Sequence, residues 1–399
     1  MTKTEPPRLL FTDAQLFGPV NVWEPGWLLT EGRHIHLLGP GQPPPFPPGF
    51  ITRHIDCAGT SLLPGFIDLH FHGALGHEAM DATPQALHIM AQFAAQHGVT
   101  AFLPSSWTAS RAATNAMLAA VDSLIGPQPD GATIVGAHLE GPYLNPAKCG
   151  AQDPQFIRRA DREEAEEWLA TGVVRLLAVA PEYPENAWLI EECVRRGVTV
   201  TAAHTAATYE QMVHAVALGV RQATHSYNAM LPLGHREPGT VGAILTLPEI
   251  NCELIADNIH VHPAAMQVLA AAKGPAGVIL VTDAVRPAGL PDGEYPFAGR
   301  TIHVRDGAVR LPDGTLAGST LTLDRALHNI LVATRWPLRE AWPMSSLNAA
   351  RAIGLAATKG SLEVGKDADL VLLDADLQVH LTVAEGTIVY EAASTSGQP

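Results

Sequence analysis

The middle of the chain alternates between apolar runs of strand length and stretches with helical periodicity. The helical stretches include residues 83–98, 154–172, 184–197 and 208–219, and the weakest helical pattern lies in 226–250. Uninterrupted apolar strands that alternate with helices are typical of a parallel sheet covered by helices. The apolar runs that predict strands are 62–72, 99–105, 133–140, 173–182, 198–204, 220–225, 251–257 and 277–283.

The number of these runs favours one architecture. Eight parallel strands are what a closed (β/α)8 TIM barrel requires, so we predict an α/β fold with such a barrel over residues 62–361. An open, doubly wound sheet is the alternative. Inside this region, residues 284–321 have a hairpin pattern and predict a β-hairpin insert ahead of a final helix that begins at residue 322.

The two ends of the chain have a different pattern, with short strands joined by turns. A proline-rich loop at residues 39–49 interrupts the first of these regions. Proline fixes φ and lacks a backbone donor, so this loop is expected at a sheet edge. We predict that residues 1–61 and 362–399 together form a small β-sandwich domain.

Composition and charge narrow the class of protein. Apolar residues make up 47% of the 399 residues and charged residues 16%, which is typical of a folded globular protein. The net charge of −15 and the scattered Lys and Arg argue against nucleic acid or an anionic membrane as a partner. Neither a signal peptide nor a membrane span is expected. The four scattered cysteines predict reduced thiols and a cytoplasmic location.

Five of the eight predicted strands end in a side chain that can bind a metal. In the first strand two histidines are separated by one residue, so both imidazoles point to the same side. The carboxyl ends of the strands are where barrel enzymes build their active sites. Imidazole and carboxylate ligands predict a divalent metal, with Zn2+ favoured and Fe2+, Mn2+ or Co2+ as alternatives. The candidate residues are His70, His72, Glu140, His204, His225 and Asp283.

This ligand set is typical of hydrolysis. Zinc makes water acidic enough to attack near neutral pH, and a further group must then move a proton. Asp283 comes last in the series, and we predict that it is the proton shuttle. The alternative is that Asp283 serves only as another ligand.

Several motifs resemble those of one enzyme family. The segment PGFIDLHFHG resembles the opening motif of the amidohydrolase superfamily. HLEGPYLNP, ATHSYNAM, HREPGTVGAIL and LAGSTLTLDRA are similar to N-acetylglucosamine-6-phosphate deacetylases, in the family's order and over nearly the whole chain. The resemblance implies the conversion of N-acetyl-D-glucosamine 6-phosphate to D-glucosamine 6-phosphate and acetate, in amino sugar catabolism or recycling.

The resemblance also assigns roles to individual residues. It implies one metal bound by Glu140, His204 and His225, and a second position at His70 and His72 that Glu140 can bridge. The number of ions per subunit, one or two, therefore stays open. The resemblance also implies that Asp283 is the proton shuttle. Residues implied near the sugar phosphate are Ala151, Gln152, Asn228, Ala229, Arg236, His260, Leu316, Ala317 and Gly318.

Arg236 has a particular place in this resemblance. The planar guanidinium can donate two parallel hydrogen bonds to a phosphate. In the family this arginine reaches the neighbouring subunit's site, which implies a homodimer.

One position departs from the family pattern. Gln152 stands where a histidine is common, and glutamine can form hydrogen bonds but cannot carry a proton charge. The preferred sugar is therefore open, and N-acetylgalactosamine 6-phosphate or a related N-acetylated sugar is the second hypothesis. The third is a catalytically silent regulator that binds sugar phosphates. Cys149 in the same loop is either an ordinary half-exposed residue or a redox-sensitive gate.

Overall fold

A computed structural model describes residues 6–393, with strands β1–β24 and helices α1–α10 numbered along the chain. The largest sheet contains at least one strand from each of the eight apolar runs, and these strands pair in parallel. A short antiparallel strand, β10 (Gly126–Gln128), flanks β11 at one edge. The parallel strands are β6 (Phe66–Phe71), β9 (Val99–Ser106), β11 (Gly131–Ile134), β12 (Ala137–Leu139), β13 (Val174–Val179), β14 (Thr199–Ala202), β15 (Gln222–Ala223), β16 (Asn251–Leu254) and β17 (Val278–Leu280).

The segment after β17, the last parallel strand, contacts the end of β6, the first one. An isolated parallel bridge joins Phe71 to Ala284, which follows β17. The backbone N–H of Asp283 also donates to the carbonyl of His70 at 2.8 Å. The carboxyl ends of the first and last parallel strands are therefore adjacent.

Two predicted strands are divided by glycines. Residues 62–72 separate at Gly65, where a Cβ atom would lie 2.2 Å from Thr100 Cγ2, so the chain can pass so closely only with glycine. The first part becomes β5 (Ser61–Pro64) of another sheet. Residues 133–140 separate at Gly136, whose φ of 142° is open to glycine but strained for other residues.

Helices connect the parallel strands and cover them. Capping explains several boundaries: Thr83 accepts a hydrogen bond from the N–H of Ala86 where α1 begins, and Thr208 and Gln211 form a capping box at α5. The predicted helix at 154–172 is shorter, because Asp161 caps α3. The helices are α1 (Pro84–Gln96), α2 (Arg111–Asp122), α3 (Arg162–Ala170), α4 (Ala187–Arg195), α5 (Tyr209–Leu218), α6 (Gly239–Thr246), α7 (Pro263–Lys273), α8 (Leu323–Thr334), α9 (Leu338–Ala341) and α10 (Leu347–Ala352).

Strands from both ends of the chain form one mixed sheet. Its order is β24-β23-β22-β5-β1-β2-β3, with β4 paired to β1. Leu62 of β5 lies opposite Leu372 of β22, so the two ends meet at the centre of this terminal sheet. Its strands are β1 (Leu9–Phe17), β2 (Val22–Glu31), β3 (His34–Pro40), β4 (Arg53–Asp56), β5, β22 (Leu370–Leu373), β23 (Val379–Ala384) and β24 (Thr387–Glu391). The two layers of a sandwich stay a prediction.

A four-stranded antiparallel sheet, called here the insert sheet, lies between β17 and α8. It comprises β18 (Gly293–Phe297), β19 (Arg300–Arg305), β20 (Ala308–Arg310) and β21 (Leu316–Ser319). Its apolar side packs against Trp107 and Ala151. A two-stranded ribbon, β7 (Gly73–Ala74) and β8 (His77–Glu78), follows β6.

All four cysteines are free, and Cys149 is the one that is partly exposed. Among helices of the described chain, none combines the length and apolar character that a membrane span needs.

Candidate metal centre

The predicted ligands stand at sharp turns just after the strands. His204, His225 and Asp283 follow β14, β15 and β17 with φ angles of 43°, 30° and 49°. Residues other than glycine rarely adopt this left-handed region, and such strain concentrates at functional sites. The turns direct three polar side chains to the same end of the parallel sheet, where Glu140 directly follows β12.

The first group consists of Glu140, His204 and His225, all buried. Glu140 Oε1 lies 3.1 Å from His204 Nε2 and 3.1 Å from His225 Nε2, and the two Nε2 atoms are 3.1 Å apart. His204 Nδ1 lies 2.8 Å from the carbonyl oxygen of Lys148, so Nδ1 donates and Nε2 keeps its electron pair. Three electron-pair donors that converge in a dry site fit a cation between them.

The second group consists of His70, His72 and Glu140, also buried. The His70 and His72 Nε2 atoms are 2.9 Å apart. Glu140 Oε2 lies 3.4 Å from His72 Nε2, and Oε1 lies 3.6 Å from His70 Nε2. Glu140 is therefore shared by two groups, each of which has the ligand types that a divalent metal prefers.

The charges of the site compensate one another. Burial by itself raises the pKa of Glu140, but the charge of His70 and the close contacts with the rings of His204 and His225 outweigh it, so the pKa lies well below its usual range. Burial of Asp283 is likewise outweighed by His70 and His72, and its pKa is lowered. For His70, burial is outweighed by Asp283 and Glu140, and the pKa lies well above its usual value. The carboxylates thus hold positive charge in this site.

A cavity of about 320 Å³ opens over these groups. Glu140, His204, His225 and Asp283 line it, together with Trp107. Of the predicted substrate residues, it is lined by Ala151, Gln152, Asn228, Ala229, His260, Leu316 and Gly318.

The sequence profile of the amidohydrolase family matches residues 61–390. The chain belongs to the amidohydrolase family. It is 37% identical to the N-acetylglucosamine-6-phosphate deacetylase of Lysinibacillus sphaericus, over 92% of this chain and 93% of the relative. It is 38% identical to the N-acetylgalactosamine-6-phosphate deacetylase of Escherichia coli O157:H7, over 82% of this chain and 87% of the relative.

A solved structure extends the comparison to three dimensions. A mutant N-acetyl-D-glucosamine-6-phosphate deacetylase from Mycobacterium smegmatis, in complex with N-acetyl-D-glucosamine-6-phosphate, superimposes with a TM-score of 0.89 at 31% identity. The match covers 96% of this chain and 99% of that one. The fold is therefore that of a metal-dependent amidohydrolase, with two His/Glu groups that could bind the metal.

Two predicted substrate residues of this amidohydrolase lie away from the cavity wall. Ala317 of β21 is buried in the apolar cluster on one side of the insert sheet, between Leu316 and Gly318, which do line the cavity. Arg236 is exposed in the loop before α6 and forms no hydrogen bond or ion pair within residues 6–393. Arg236 was predicted to reach the neighbouring subunit's site, and that assignment stays a prediction.

Gln152 is tied into the metal centre itself. Its Oε1 accepts from the N–H of Thr108 at 2.7 Å, and its Nε2 donates to Glu140 Oε2 at 2.5 Å. Only 3% of the residue is exposed. Both ends of the amide therefore have protein partners, and one of them is the shared carboxylate.

Three further residues belong to the site and were not predicted from the sequence. The ring of Trp107 stacks on that of His72 with centroids 3.7 Å apart. Asp68 accepts from the hydroxyl of Thr282, the residue before Asp283, at 2.6 Å, and burial raises the pKa of Asp68 to about 6. Glu253 lies 3.2 Å from His70 Nδ1. The sequence signal that could have identified Asp68 and Glu253 as site residues was the position of each carboxylate inside an apolar run.

Proposed function

We propose that this amidohydrolase deacetylates N-acetyl-D-glucosamine 6-phosphate to D-glucosamine 6-phosphate and acetate. The observation that carries the proposal is the convergence of Glu140, His204 and His225 beside Asp283 on the wall of one cavity. Relatives and a structural neighbour named for this substrate support it.

The ligand set suits Zn2+, with Fe2+, Mn2+ and Co2+ as alternatives. Glu140, His204 and His225 would hold one ion, and His70 and His72 with Glu140 would provide a second position. When bound, a divalent cation supplies Lewis acidity, which makes water a better nucleophile near neutral pH and polarises a carbonyl.

Asp283 moves the proton that hydrolysis requires. Its lowered pKa keeps the side chain as a carboxylate, able to accept a proton from the attacking water. As the acetyl carbon gains the water oxygen and its bond to nitrogen breaks, Asp283 returns this proton to the departing amine. Acetate and the amino sugar phosphate are the products.

The remaining lining residues bind the sugar phosphate. His260 Nδ1 lies 2.6 Å from Asp257 Oδ2, which fixes the ring at the cavity wall. Asn228, Ala229, Ala151, Gln152, Leu316 and Gly318 contact the substrate, and Ala317 holds the last two in place. Arg236 binds the phosphate in the neighbouring subunit of a homodimer, and its exposure and lack of a partner within residues 6–393 support this role.

The architecture is part of the proposal. We infer that the parallel sheet is a closed (β/α)8 barrel over residues 62–361, supported by the bridge between Phe71 and Ala284. We also infer that residues 6–61 and 362–393, the described parts of the predicted segments 1–61 and 362–399, form the small β-sandwich domain; residues 1–5 and 394–399 lie outside the described residues. A cytoplasmic location is supported by the free cysteines.

A small substrate panel tests the proposal. Acetate release is measured with metal-replete protein on N-acetylglucosamine 6-phosphate, N-acetylgalactosamine 6-phosphate and unphosphorylated N-acetylglucosamine. We expect the highest kcat/KM for the first. A higher value for the second establishes the galactosamine alternative, which Gln152 and the similarity to the Escherichia coli relative favour. No release from any of the three supports the regulator instead.

A further inference from the structure

Glu253 is a buried carboxylate that the proposed reaction does not use. It lies inside β16, its side chain is fully buried, and its one ion-pair partner among the described residues is His70. Burying a carboxylate is costly unless hydrogen bonds and charge compensate it. A carboxylate retained there therefore has a specific set of partners.

Three nitrogen atoms surround the two oxygens of Glu253. Gln222 Nε2 donates to Oε1, and the backbone N–H of His225 donates to Oε2 at 3.4 Å. The third nitrogen is His70 Nδ1, 3.2 Å from Oε2. A carboxylate accepts only, so His70 Nδ1 is a donor, and in the neutral ring Nε2 is the atom left to bind a metal. A carboxylate behind a metal-binding histidine orients the ring and strengthens it as a ligand.

The other histidines of the centre lack such a partner. His204 Nδ1 faces a backbone carbonyl, and the buried Nδ1 atoms of His72 and His225 have no hydrogen-bond partner within residues 6–393. Glu253 also holds the backbone after β15, because its carbonyl accepts from the N–H of Ser226 at 2.8 Å. One residue thus contacts the ring of the second metal position and the backbone of the first.

We propose that Glu253 is a positioning residue that makes His70 a ligand and so determines whether this protein binds a second ion. This inference rests on the metal-binding part of the proposed function. It concerns metal affinity rather than substrate, so a failure of the deacetylation assay leaves its test intact.

The test uses Glu253→Gln, which keeps the shape of the side chain and removes its charge. Metal-free protein is titrated with Zn2+, and the affinities of the first and second ions are measured. The first ion should bind as in the unaltered protein, and the second about 10- to 100-fold more weakly. An unchanged second affinity, an equal loss of both, or a single ion in the unaltered protein overturns the proposal.

Asp324→Asn is a matched control. Asp324 is another carboxylate paired with a histidine, 3.4 Å from His97 Nδ1, and neither residue lines the cavity. This substitution should leave both metal affinities unchanged. A loss equal to that of Glu253→Gln assigns the effect to general destabilisation and overturns the proposal.

A double substitution separates positioning from structural support. If Glu253 acts through His70, Glu253→Gln should cause no further loss of metal affinity in a His70→Ala protein. If the two substitutions lower metal affinity additively, Glu253 does not act through His70.

NMR of the unaltered zinc protein keeps the proposal testable if Glu253→Gln does not fold. Histidine 15N spectra should show the proton of His70 on Nδ1. A proton on Nε2 overturns the assignment.

Discussion

At the scale of the residue, a substitution of Asp283 tests whether metal binding and proton transfer depend on different side chains. Its Oδ1 lies 3.2 Å from His72 Nε2, outside the group of Glu140, His204 and His225. In Asp283→Asn that group is intact, so the protein should retain its metal, while kcat falls by about 10²- to 10⁴-fold because no group accepts the proton. Elemental analysis and acetate release measure the two effects.

Asp324→Asn is the control for Asp283→Asn, since Asp324 is a largely buried acid that does not line the cavity. It should keep nearly full activity. A fully active Asp283→Asn enzyme would remove the proton-shuttle assignment and leave Asp283 as, at most, a ligand.

Arg236 can be tested through the substrate's phosphate. Hydrogen bonds to a charged group contribute substantially to binding, so Arg236→Ala should lower kcat/KM for phosphorylated substrates by about 10- to 100-fold. The value for unphosphorylated N-acetylglucosamine should change far less. Arg305→Ala, at an arginine that is 91% exposed in the insert sheet, is the matched control and should change neither. Equal losses on both substrate types would argue against a phosphate contact.

The sequence could predict which candidate ligands come together but not which residues hold them in place. His204 and His225 end apolar runs, and strand ends at one edge of a parallel sheet must lie near each other. Glu253 lies inside an apolar run, and periodicity does not say which ring it faces. Gln152 was expected at the substrate, yet its amide also bonds Glu140, a contact that depends on how the loop after β12 folds back.

At the scale of the element, uninterrupted apolar runs were the most predictable feature. β9 (Val99–Ser106) is buried at all eight positions, and it appears where the pattern places it. In contrast, β15 has two residues, because the chain turns at His225 with a φ of 30°. Such a turn is fixed by tertiary contacts and functional geometry rather than by local propensity.

A buried ionic cluster connects the terminal sheet to the segment after α10. Lys359 Nζ lies 2.9 Å from Asp369, 3.1 Å from Asp367 and 3.1 Å from Glu385. Arg33 also pairs with Asp367 and Glu385, so Lys359 alone compensates Asp369 among the described residues. Burial raises the pKa of Asp369, and Lys359 only partly opposes this effect.

Lys359→Met should therefore destabilise the protein in a pH-dependent manner. Removing one partner of a buried pair costs about 3–5 kcal/mol, because Asp369 stays buried without its cation. A carboxyl with a raised pKa binds protons more readily in the folded state, so stability recovers as the pH falls through that range. Urea unfolding should show a larger loss at about pH 7.5 than at about pH 5.

The control for Lys359→Met is Arg339→Met. Arg339 is 68% exposed and lies 4.0 Å from Glu340, so its loss should cost no more than about 0.5 kcal/mol. A loss for Lys359→Met that is equally small, or that does not change with pH, would contradict the role of the cluster.

At the scale of the whole molecule, a site shared between subunits would make two impaired variants complementary. If Arg236 acts in the neighbouring subunit, a mixed dimer of Arg236→Ala and Asp283→Asn chains has one site with both residues intact. Mixing the two variants after subunit exchange should restore about a quarter of the unaltered activity. No recovery in a verified mixed dimer would place Arg236 in its own subunit's site or outside both.

The sequence indicated how the described chain divides into two sheet regions, but the strand pairing within them required the structure. The alternation in the middle and the strand-rich ends correspond to the central parallel sheet and the terminal sheet. The pairing of β5 with β22 joins residues about 310 positions apart, as Leu62 and Leu372 illustrate, and no local pattern specifies such a partner.

The most direct test of the central claim measures metal and activity together. Elemental analysis and acetate release from N-acetylglucosamine 6-phosphate are performed on the unaltered protein, on His204→Ala and on His225→Ala. We predict at least one equivalent of divalent metal with acetate release in the first, and loss of both tightly bound metal and activity in the two variants. Full metal content and full activity in either variant would contradict a reaction that depends on one ion held by Glu140, His204 and His225.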